Sequence, residues 1–568
     1  MSTDSGAASM TASSANILLI NGDIHTMDLA QPRAEAVALR AGRIVAVGST
    51  HELRRLFAAD SELIDLDGRM VMPGLIDAHC HPTKGALARL FSCKFEFDAT
   101  PEQIAAAVAD SMAREAGDSV IIGGRWGSGF FERYAIPSPR AWLDEVCAHR
   151  AVYLRDDSGH NGWANSRALA LVGIDDHSAD PAGGRIVREA GGRRPNGLLL
   201  EAADSQARAR LPDWSAEQYQ TAVREMMRIA HGYGIIGIND ADASVPLLEA
   251  YQAVDMRGEL DLYVAASMTT PYGHRDTPLD VELLEQWRDR YASKHVDTRF
   301  VKIYLDGVPT SARSAAMLAP YVSHPDFAAD YCGELHVDEP VLAQDIAALE
   351  QRGFTVKLHT AGDRSVQVAL NAIETAHGVS GRSDLRHELA HAGFVAAQDL
   401  PRFAALNVAA DLSPYLWFPA SIMASIRSAL GARAERYWPI RDLLESGAPL
   451  LAGSDWPAAV ASMDPWPAIA SLVTRRDARN VAAGALWAEQ AIPLGEALRL
   501  FTVAGARALR REHMTGTLAV GMSADLIVLD RNLFSIEPDA VADTRVELTL
   551  FEGRVVHNLE APIATLGR

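Results

Sequence analysis

The chain has 568 residues, of which 48% are hydrophobic and 22% are charged, and its formal net charge is -20. This composition is typical of an ordinary globular protein that is long enough for one large domain and a second module. Because nucleic acids and anionic membranes select basic surfaces, the acidic balance predicts neither as a partner, and no apolar run reaches the roughly 18 residues of a membrane span.

The first segment, residues 1–15, is rich in Ser, Ala and Thr. It lacks the basic start and the apolar core of a signal peptide, so we interpret it as a disordered tail. The four cysteines lie far apart without a C-x-x-C spacing, at Cys80, Cys93, Cys147 and Cys332. This spacing indicates neither a disulfide framework nor a thiolate zinc site, and it predicts a reducing, cytoplasmic location.

Residues 16–70 and 515–560 both carry the pattern of short β-strands. In the first segment, apolar runs at 36–39 and 44–47 flank a turn that ends in Gly42, which indicates a hairpin. In the second, 525–529 is a candidate strand, and 548–551 and 555–556 flank a turn. Each segment is too small to bury a core alone, so we predict that both termini form one small β-sandwich with residues 71–514 inserted between its halves.

The middle of the chain alternates apolar runs with helical patterns, which is the signature of βα units. In one predicted helix, residues 365–377, apolar side chains recur at helical spacing and Gly378 is expected to stop the helix. Eight candidate strands favour an α/β fold built on a (β/α)8 TIM barrel. These strands are 74–79, 235–240, 260–265, 300–305, 354–359, 385–391, 407–411 and 450–454.

The stretch from about residue 90 to 230 is too long for one barrel connection. It contains apolar runs at 119–123 and 151–155, which are candidate strands. We therefore expect an inserted subdomain near the barrel mouth.

The first candidate barrel strand runs into a His-x-His sequence, His79-Cys80-His81. Side chains alternate faces along a strand, so the two imidazoles point the same way and Cys80 points the other way. Two imidazoles on one face can hold a divalent metal ion. The alternative is a pair of ordinary surface or core histidines.

Further residues of metal-ligand type stand at or near the ends of later strands, where barrel enzymes carry their chemistry. They are Lys302, His359, His391 and Asp455. Each has a structural alternative: a strand-end histidine can be hydrogen-bonded structure, and an aspartate after serine can cap a helix. Because burying an unpaired ammonium is costly, Lys302 either meets a carboxylate such as Asp306 or is chemically altered.

These motifs resemble the metal-dependent amidohydrolase superfamily, in its amidohydrolase-3 branch of YtcJ-like and N-substituted formamide deformylase-like proteins. The resemblance covers nearly the whole chain and implies the same barrel and two-ended β-sandwich. The matching motifs are Asn21-Gly22, Pro73-Gly74-Leu75-Ile76-Asp77-Ala78-His79, Gly159-His160, Lys302-Ile303 with Asp306-Gly307, His359 with Gly362-Asp363-Arg364, Arg386-His387 with His391, Gly453-Ser454-Asp455, and Gly516-Thr517-Leu518.

The resemblance also implies roles for the strand-end residues. His79, His81 and Asp455 would bind one metal ion, and His359 and His391 a second. Lys302, carboxylated on its amine, would bridge the two ions. A bridging water would be the nucleophile, and Asp455 would pass its proton to the leaving nitrogen.

Two features leave this assignment open. Relatives often carry Glu before the sixth-strand histidine, where this chain has Ala390, and His387 shares a strand face with His391, so either histidine could be the ligand. The donor set suits one or two Zn²⁺ ions but would also accept manganese, iron or cobalt.

Several other residues could hold a substrate. Trp126 could wall a pocket or be a buried core residue, and His160 could polarise a substrate carbonyl or cap a helix. Arg313 could bind a carboxylate or be an ordinary surface arginine. Tyr415, Trp417 and Trp456 suggest an aromatic, largely apolar pocket.

The sequence therefore predicts a metal-dependent hydrolase that cleaves a C–N bond in a small amide, N-acyl or N-formyl compound. The same site could instead serve deamination, or ester or lactone hydrolysis. An alternative of another class is a non-catalytic scaffold on the same fold. The expected partner is a small-molecule substrate, and a homodimer is the habit of the resembled family.

Overall fold

The computed structural model describes residues 16–96, 98–114, 119–127, 130–156, 161–181, 184–271, 274–310, 312–325, 327–415, 421–458, 460–559 and 565–566. The chain divides into two compact units. The first comprises Met1–Pro82 and Val223–Arg568, and the second comprises Thr83–Ala222.

The first unit begins with short strands and one helix, α1 (Thr50–Phe57), which starts at Ser49 with the serine hydroxyl accepting a hydrogen bond from the backbone N–H of Glu52 at 3.3 Å. The strands β4 and β5 form the antiparallel hairpin that the sequence predicts. The strands are β1 (Ile17–Ile20), β2 (Asp23–His25), β3 (Arg33–Ala34), β4 (Ala36–Arg40), β5 (Arg43–Gly48), β6 (Glu62–Asp65) and β7 (Met70–Pro73). Strand β8 (Leu75–Cys80) follows after the single residue Gly74.

The second unit contains one five-stranded sheet in the order β12-β13-β11-β10-β9. The predicted strands at 119–123 and 151–155 correspond to β9 and β10. The strands are β9 (Ile121–Trp126), β10 (Val152–Asp156), β11 (Asn161–Ala164), β12 (Gly184–Arg188) and β13 (Pro195–Glu201). The helices of this region are α2 (Pro82–Phe91), α3 (Pro101–Arg114), α4 (Phe130–Arg133), α5 (Pro139–Val146), α6 (Ser166–Leu171), α7 (Ala202–Arg208) and α8 (Ala216–Gly232).

Strand β8 is the first of eight strands that form a parallel sheet in the first unit, and these strands follow one another in chain order. The other seven are β14 (Ile235–Ala243), β15 (Tyr263–Met268), β16 (Val296–Tyr304), β17 (Thr355–Thr360), β18 (Glu388–His391), β19 (Ala409–Leu412) and β20 (Leu450–Ala452). Beyond the ends of β8 and β20, the backbone N–H of Asp455 donates to the carbonyl of His79 at 2.7 Å. The N–H of His81 donates to the carbonyl of Trp456 at 2.7 Å, so the first and last strands meet and the predicted (β/α)8 barrel is confirmed.

All eight predicted barrel strands are present in the predicted order, with ends that differ by a few residues. One helix ends later than predicted. The helix at Asp363–Ser380 continues through Gly378 and stops at Gly381, whose φ of 70° is the left-handed conformation that glycine adopts easily. The stop predicted at Gly378 is therefore wrong.

Helices connect the barrel strands and lead into the C-terminal segment. They are α9 (Val245–Met256), α10 (Val281–Tyr291), α11 (Glu339–Gln351), α12 (Asp363–Ser380), α13 (Leu400–Ala405), α14 (Ser421–Leu430), α15 (Ile440–Glu445), α16 (Pro465–Thr474), α17 (Leu494–Arg499) and α18 (Gly505–Ala508). Among the helices of the described residues, none is long and apolar enough to cross a membrane.

The C-terminal strands join the N-terminal strands in two sheets. They are β21 (Leu526–Leu529), β22 (Val546–Phe551), β23 (Arg554–Asn558) and β24 (Thr565–Leu566). The sheet orders are β24-β6-β1-β4-β5 and β23-β22-β21-β7-β2-β3. One buried cluster joins side chains of both sheets, including Leu19, Val37, Val71, Val528 and Leu550, so the chain's two ends share a core.

Candidate metal centre

The two histidines of the His-x-His sequence lie at the end of β8 and converge on one carboxylate. His79 Nε2 lies 3.5 Å and His81 Nε2 lies 3.3 Å from Asp455 Oδ1. Asp455 has a φ of 59°, a left-handed conformation in which the chain turns sharply after β20. The turn brings the carboxylate back over the end of β8.

His391, at the end of β18, lies in the same cluster. One ligand atom each from His79, His391 and Asp455 all lie within 4.8 Å of one another. The ring centroids of His79 and His391 are 5.0 Å apart, and those of His359 and His391 are 4.8 Å apart. The structure thus brings the four predicted histidines and Asp455 together at one end of the barrel.

His359 is oriented by Asp306, which follows β16. The Nδ1–H of His359 donates a hydrogen bond to Asp306 Oδ1 at 3.0 Å. The other ring nitrogen, Nε2, is then unprotonated and can bind a metal ion. Asp306 also accepts hydrogen bonds from the backbone N–H of Gly362 at 2.9 Å and from the hydroxyl of Ser365 at 2.7 Å. Asp306 thus holds His359 and the start of α12, and none of the ion pairs among the described residues joins it to Lys302.

Lys302, on β16, is fully buried, with the charge of Lys357 opposed by those of Asp455, Asp411 and Asp242. Burial first and then the positive charge of Lys357 lower its pKa from 10.5 to about 8. The lowered pKa increases the fraction of neutral amine near neutral pH, and the neutral amine is the form that can react with carbon dioxide to give a carbamate.

A second buried lysine forms an ionic network below the histidines. Lys357 Nζ lies 2.5 Å from Asp411 Oδ2 and 2.7 Å from Glu388 Oε2, and all three side chains are almost fully buried. Asp411 Oδ2 in turn accepts from His79 Nδ1 at 2.7 Å. The network therefore fixes the tautomer of His79 with Nε2 facing Asp455.

This network was missed from the sequence. Lys357 lies two residues before His359 on the same strand face, which was a usable signal, but its partners Asp411 and Glu388 come from other strands. Glu388 also supplies a carboxylate on the same face of β18 as Ala390, two residues before it.

The ionisation states suit metal ligands. Burial first, and then the charges of Lys302 and Lys357, hold the pKa of His79 well below its usual value, and burial does the same for His391. Burial raises the pKa of Asp455, but the hydrogen bond with His81 and the charge of His391 outweigh it and lower the pKa overall. Neutral imidazoles and an ionised carboxylate are the forms that coordinate metal ions.

The structure separates His387 from this cluster. Its Nδ1 accepts the backbone N–H of Val356 at 3.0 Å, and its Nε2 donates to Glu350 at 2.9 Å. Glu350, His377 and His387 also lie close enough together to be considered as metal ligands. However, coordination through Nε2 would require a doubly deprotonated His387 ring, so this cluster is better explained as a hydrogen-bonded support, and His391 is the better candidate ligand.

The proposed substrate residues of the first unit have mixed surroundings. The hydroxyl of Tyr415 donates to the carbonyl of Asp464 at 2.6 Å, so it anchors the start of α16. Trp456 is buried and directly follows Asp455. Arg313 is buried rather than on the surface, with its guanidinium 5.7 Å from the ring centre of Phe327.

The structure does not place the remaining proposed substrate residues beside the histidines. Trp126 lies in the core of the second unit, with its ring centroid 5.7 Å from that of Trp163, as in the structural alternative. His160 and Trp417 lie outside the described residues.

Two residues near Lys302 were not anticipated. They are Asp242 and Tyr304, which are hydrogen-bonded to each other. Burial first and then the charge of Asp242 raise the pKa of Tyr304. The ring centre of Tyr304 lies 5.2 Å from Lys302 Nζ. Asp242 is the next-to-last residue of β14 and Tyr304 is the last residue of β16, so both stand where barrel enzymes bind substrates.

Comparison with known proteins places this site in context. Residues 62–557 match the model of a family described as "Amidohydrolase family". The chain is 28% identical to Protein LONG AFTER FAR-RED 3 of Arabidopsis thaliana, over 91% of this chain and 88% of that protein. It is 27% identical to the N-substituted formamide deformylase of Arthrobacter pascens, over 95% and 97% respectively. A crystal structure of an uncharacterised metal-dependent hydrolase from Pyrococcus furiosus superposes with a TM-score of 0.73 at 22% identity, over 91% of this chain and 99% of that one.

Proposed function

The chain belongs to the amidohydrolase family and is a hydrolase of carbon–nitrogen bonds, and on that premise we propose that it uses a divalent metal centre to cleave small N-acyl or N-formyl compounds. The observation that carries this proposal is the convergence of His79, His391 and Asp455 within 4.8 Å. His79 Nε2 supports it further, because this buried atom has no hydrogen-bond partner among the described residues and faces the cluster.

The residues present fit a metal centre. We propose that His79, His81 and Asp455 would hold one ion and that His359 and His391 would hold a second. Lys302 would contribute a carbamate between them, favoured by its lowered pKa of about 8. Nitrogen and oxygen donors of this kind suit Zn²⁺. When bound, such an ion lowers the pKa of water from about 15.7 toward about 7 and so supplies a nucleophile at neutral pH.

The chain's own groups supply the proton transfers and the orientation. Asp455 is ionised at neutral pH because its pKa is lowered, so it can accept the proton of the attacking water and deliver it to the leaving nitrogen. Asp411 and Asp306 hold the rings of His79 and His359 in fixed orientations at 2.7 and 3.0 Å. Fixed ligands reduce the reorganisation that the reaction would otherwise require.

The proposed substrate class is based on an aromatic residue beside Asp455 and on the name of one relative. Trp456, which is buried and directly follows Asp455, favours an apolar or aromatic substituent. A relative of 27% identity over nearly the full chain carries the name N-substituted formamide deformylase. We therefore place N-substituted formamides first among the substrates to be tried.

The test combines metal content with a substrate panel. Elemental analysis and hydrolysis of N-formyl, N-acyl, ester and amino-heterocyclic substrates are measured for the wild-type protein and for His79→Ala and Asp455→Asn. We expect bound metal, preferred cleavage of an N-formyl or N-acyl substrate, and activity lowered on the order of 100-fold or more in both variants. His51→Ala, which alters an exposed histidine in α1, is the matched control and should behave like the wild type.

Two results contradict the proposal. One is activity that persists in both variants at the wild-type level while the protein binds less than about one metal ion per chain. The other is cleavage of the ester or amino-heterocyclic substrates alone, which would keep the metal centre but assign it another reaction.

A further inference from the structure

A cavity rich in arginine lies at the opposite end of the barrel from the histidines. It has a volume of about 350 Å³, and four arginines line it, Arg299, Arg386, Arg507 and Arg510. Thr355 and Glu388, the first residues of β17 and β18, also line it, which places it at the N-terminal ends of these strands. We call it the arginine cavity.

Three of these arginines have no ion pair with any described residue. Arg386 Nε donates to the side-chain oxygen of Asn407 at 3.3 Å, and Arg510 Nη1 donates to the carbonyl of Gly353 at 3.0 Å. Both guanidiniums are thus held by neutral groups, and Arg507 is exposed beside them. Arg299, in contrast, is paired with Asp297.

The carboxylates around the cavity offset these charges only in part. Asp384 is paired with Arg382, whose Nε lies 2.6 Å from its carboxylate, and Glu388 is paired with Lys357 at 2.7 Å. Glu512 is exposed and lies beyond ion-pair distance of the arginines, although its charge favours the protonated form of Arg386. Asp384 and Asp297 likewise favour the protonated form of Arg510. Among the described residues, however, no carboxylate forms an ion pair with Arg386, Arg507 or Arg510.

The arginines also repel one another. Burial first and then the charge of Arg507 lower the pKa of Arg386, and burial and then Arg299 lower that of Arg510. Such crowding is unfavourable without a counter-charge, and it stands out in a chain whose net charge is -20. A bound anion would relieve the repulsion.

We propose that the arginine cavity binds a phosphate group, either as free phosphate or as part of a small phosphorylated molecule. The planar guanidinium donates paired hydrogen bonds that match the oxygens of phosphate, which favours this anion over a spherical one such as chloride. The cavity volume of about 350 Å³ leaves room for more than the phosphate itself. This binding site goes beyond the proposed hydrolase activity, because it lies at the other end of the barrel strands.

The test is calorimetric titration of the full-length protein with inorganic phosphate, at an ionic strength held constant with potassium chloride. We expect saturable binding to the wild type and affinity weakened about tenfold or more in Arg507→Gln, an exposed position where the substitution leaves folding intact. The double variant Arg386→Gln/Arg510→Gln should bind more weakly still. Arg228→Gln, which removes an exposed arginine paired with Glu225, is the matched control and should bind like the wild type.

Two further arms locate the binding and identify its source. Titration of His79→Ala separates the cavity from the metal centre, and it should retain full phosphate affinity. Glycerol 3-phosphate is compared with inorganic phosphate, since tighter binding of the ester indicates a phosphorylated metabolite and equal binding indicates free phosphate. The proposal is overturned if the wild type shows no saturable binding, if Arg507→Gln binds as tightly as the wild type, or if binding disappears in His79→Ala.

Discussion

Lys302 shows how the barrel interior sets the chemistry of a single amine. Burial lowers the pKa of Lys302 from 10.5 to about 8 in the metal-free protein. Between about pH 8 and pH 10.5, the unfolded chain therefore binds more protons than the folded chain. The free energy of unfolding should therefore rise with pH across this window, by up to about 3 kcal/mol. Urea denaturation in the presence of a chelator, from about pH 7 to about pH 10, measures it.

The variant Lys302→Met provides the comparison for this prediction. It removes the titrating group but keeps an apolar side chain of similar length, so its stability should depend less steeply on pH than that of the wild type. Parallel pH profiles for the two proteins would mean that Lys302 titrates in the folded state as it does in water.

The strand-end residues were predictable because each one is of a metal-ligand type and directly follows or ends an apolar run. His79, His359 and His391 each follow an apolar run of strand length, and in a barrel such ends converge. The partners that orient them were not predictable. Asp411 is 332 positions from His79 in sequence, and no local pattern links a strand-end aspartate to a histidine that far away.

At the scale of elements, the contact between β8 and β20 depends on Gly453. A Cβ added at this position would lie 2.3 Å from the backbone nitrogen of His79, closer than real side chains approach. Gly453→Ala should therefore push the first and last strands apart, lower the free energy of unfolding by about 1–3 kcal/mol, and reduce metal content. Denaturant titration and elemental analysis measure the two effects.

Gly378→Ala is the matched control for this substitution. Gly378 is exposed inside α12, and a Cβ there meets nothing within 4 Å. Alanine should stabilise the helix by about 0.5–1 kcal/mol. Equal effects of the two substitutions would contradict the steric role of Gly453.

Three barrel strands are joined by the network of Lys357 with Asp411 and Glu388. Removing its one cation in Lys357→Met leaves two buried carboxylates without compensation, so we expect a loss of about 3–5 kcal/mol in the free energy of unfolding. Lys294→Met is the control, because Lys294 is exposed and pairs with Glu552, and its loss should cost about 0–1 kcal/mol.

A neutralised triple variant separates charge from packing in this network. Lys357→Met combined with Asp411→Asn and Glu388→Gln removes all three charges, while the amide oxygen introduced at position 411 can still accept a hydrogen bond from His79. Stability should recover most of the loss if uncompensated charge is its cause. A triple variant as unstable as Lys357→Met would assign the loss to packing instead.

At the scale of the whole molecule, the pairing of the chain ends followed from a simple size argument. Neither 16–70 nor 515–560 carries enough apolar surface for a core of its own, and the structure interleaves them. The hairpins were predictable from turn residues close in sequence. The choice of neighbour was not, because β21 pairs with β7 across some 450 residues, and several apolar strands would have satisfied the pattern equally well.

This pairing predicts that the barrel cannot be maintained without the C-terminal strands. Strand β7 lies between β2 and β21 and continues through Gly74 into β8, so loss of β21 would uncover an edge directly before the strand that carries His79. A chain ending at residue 514 should therefore aggregate or bind little metal. Co-expression of residues 515–568 as a separate chain should restore soluble protein and metal content, since those strands associate with the rest without covalent continuity. A truncated chain that remains folded, with full metal content and a wild-type unfolding midpoint, would show that the β-sandwich and the barrel are energetically independent.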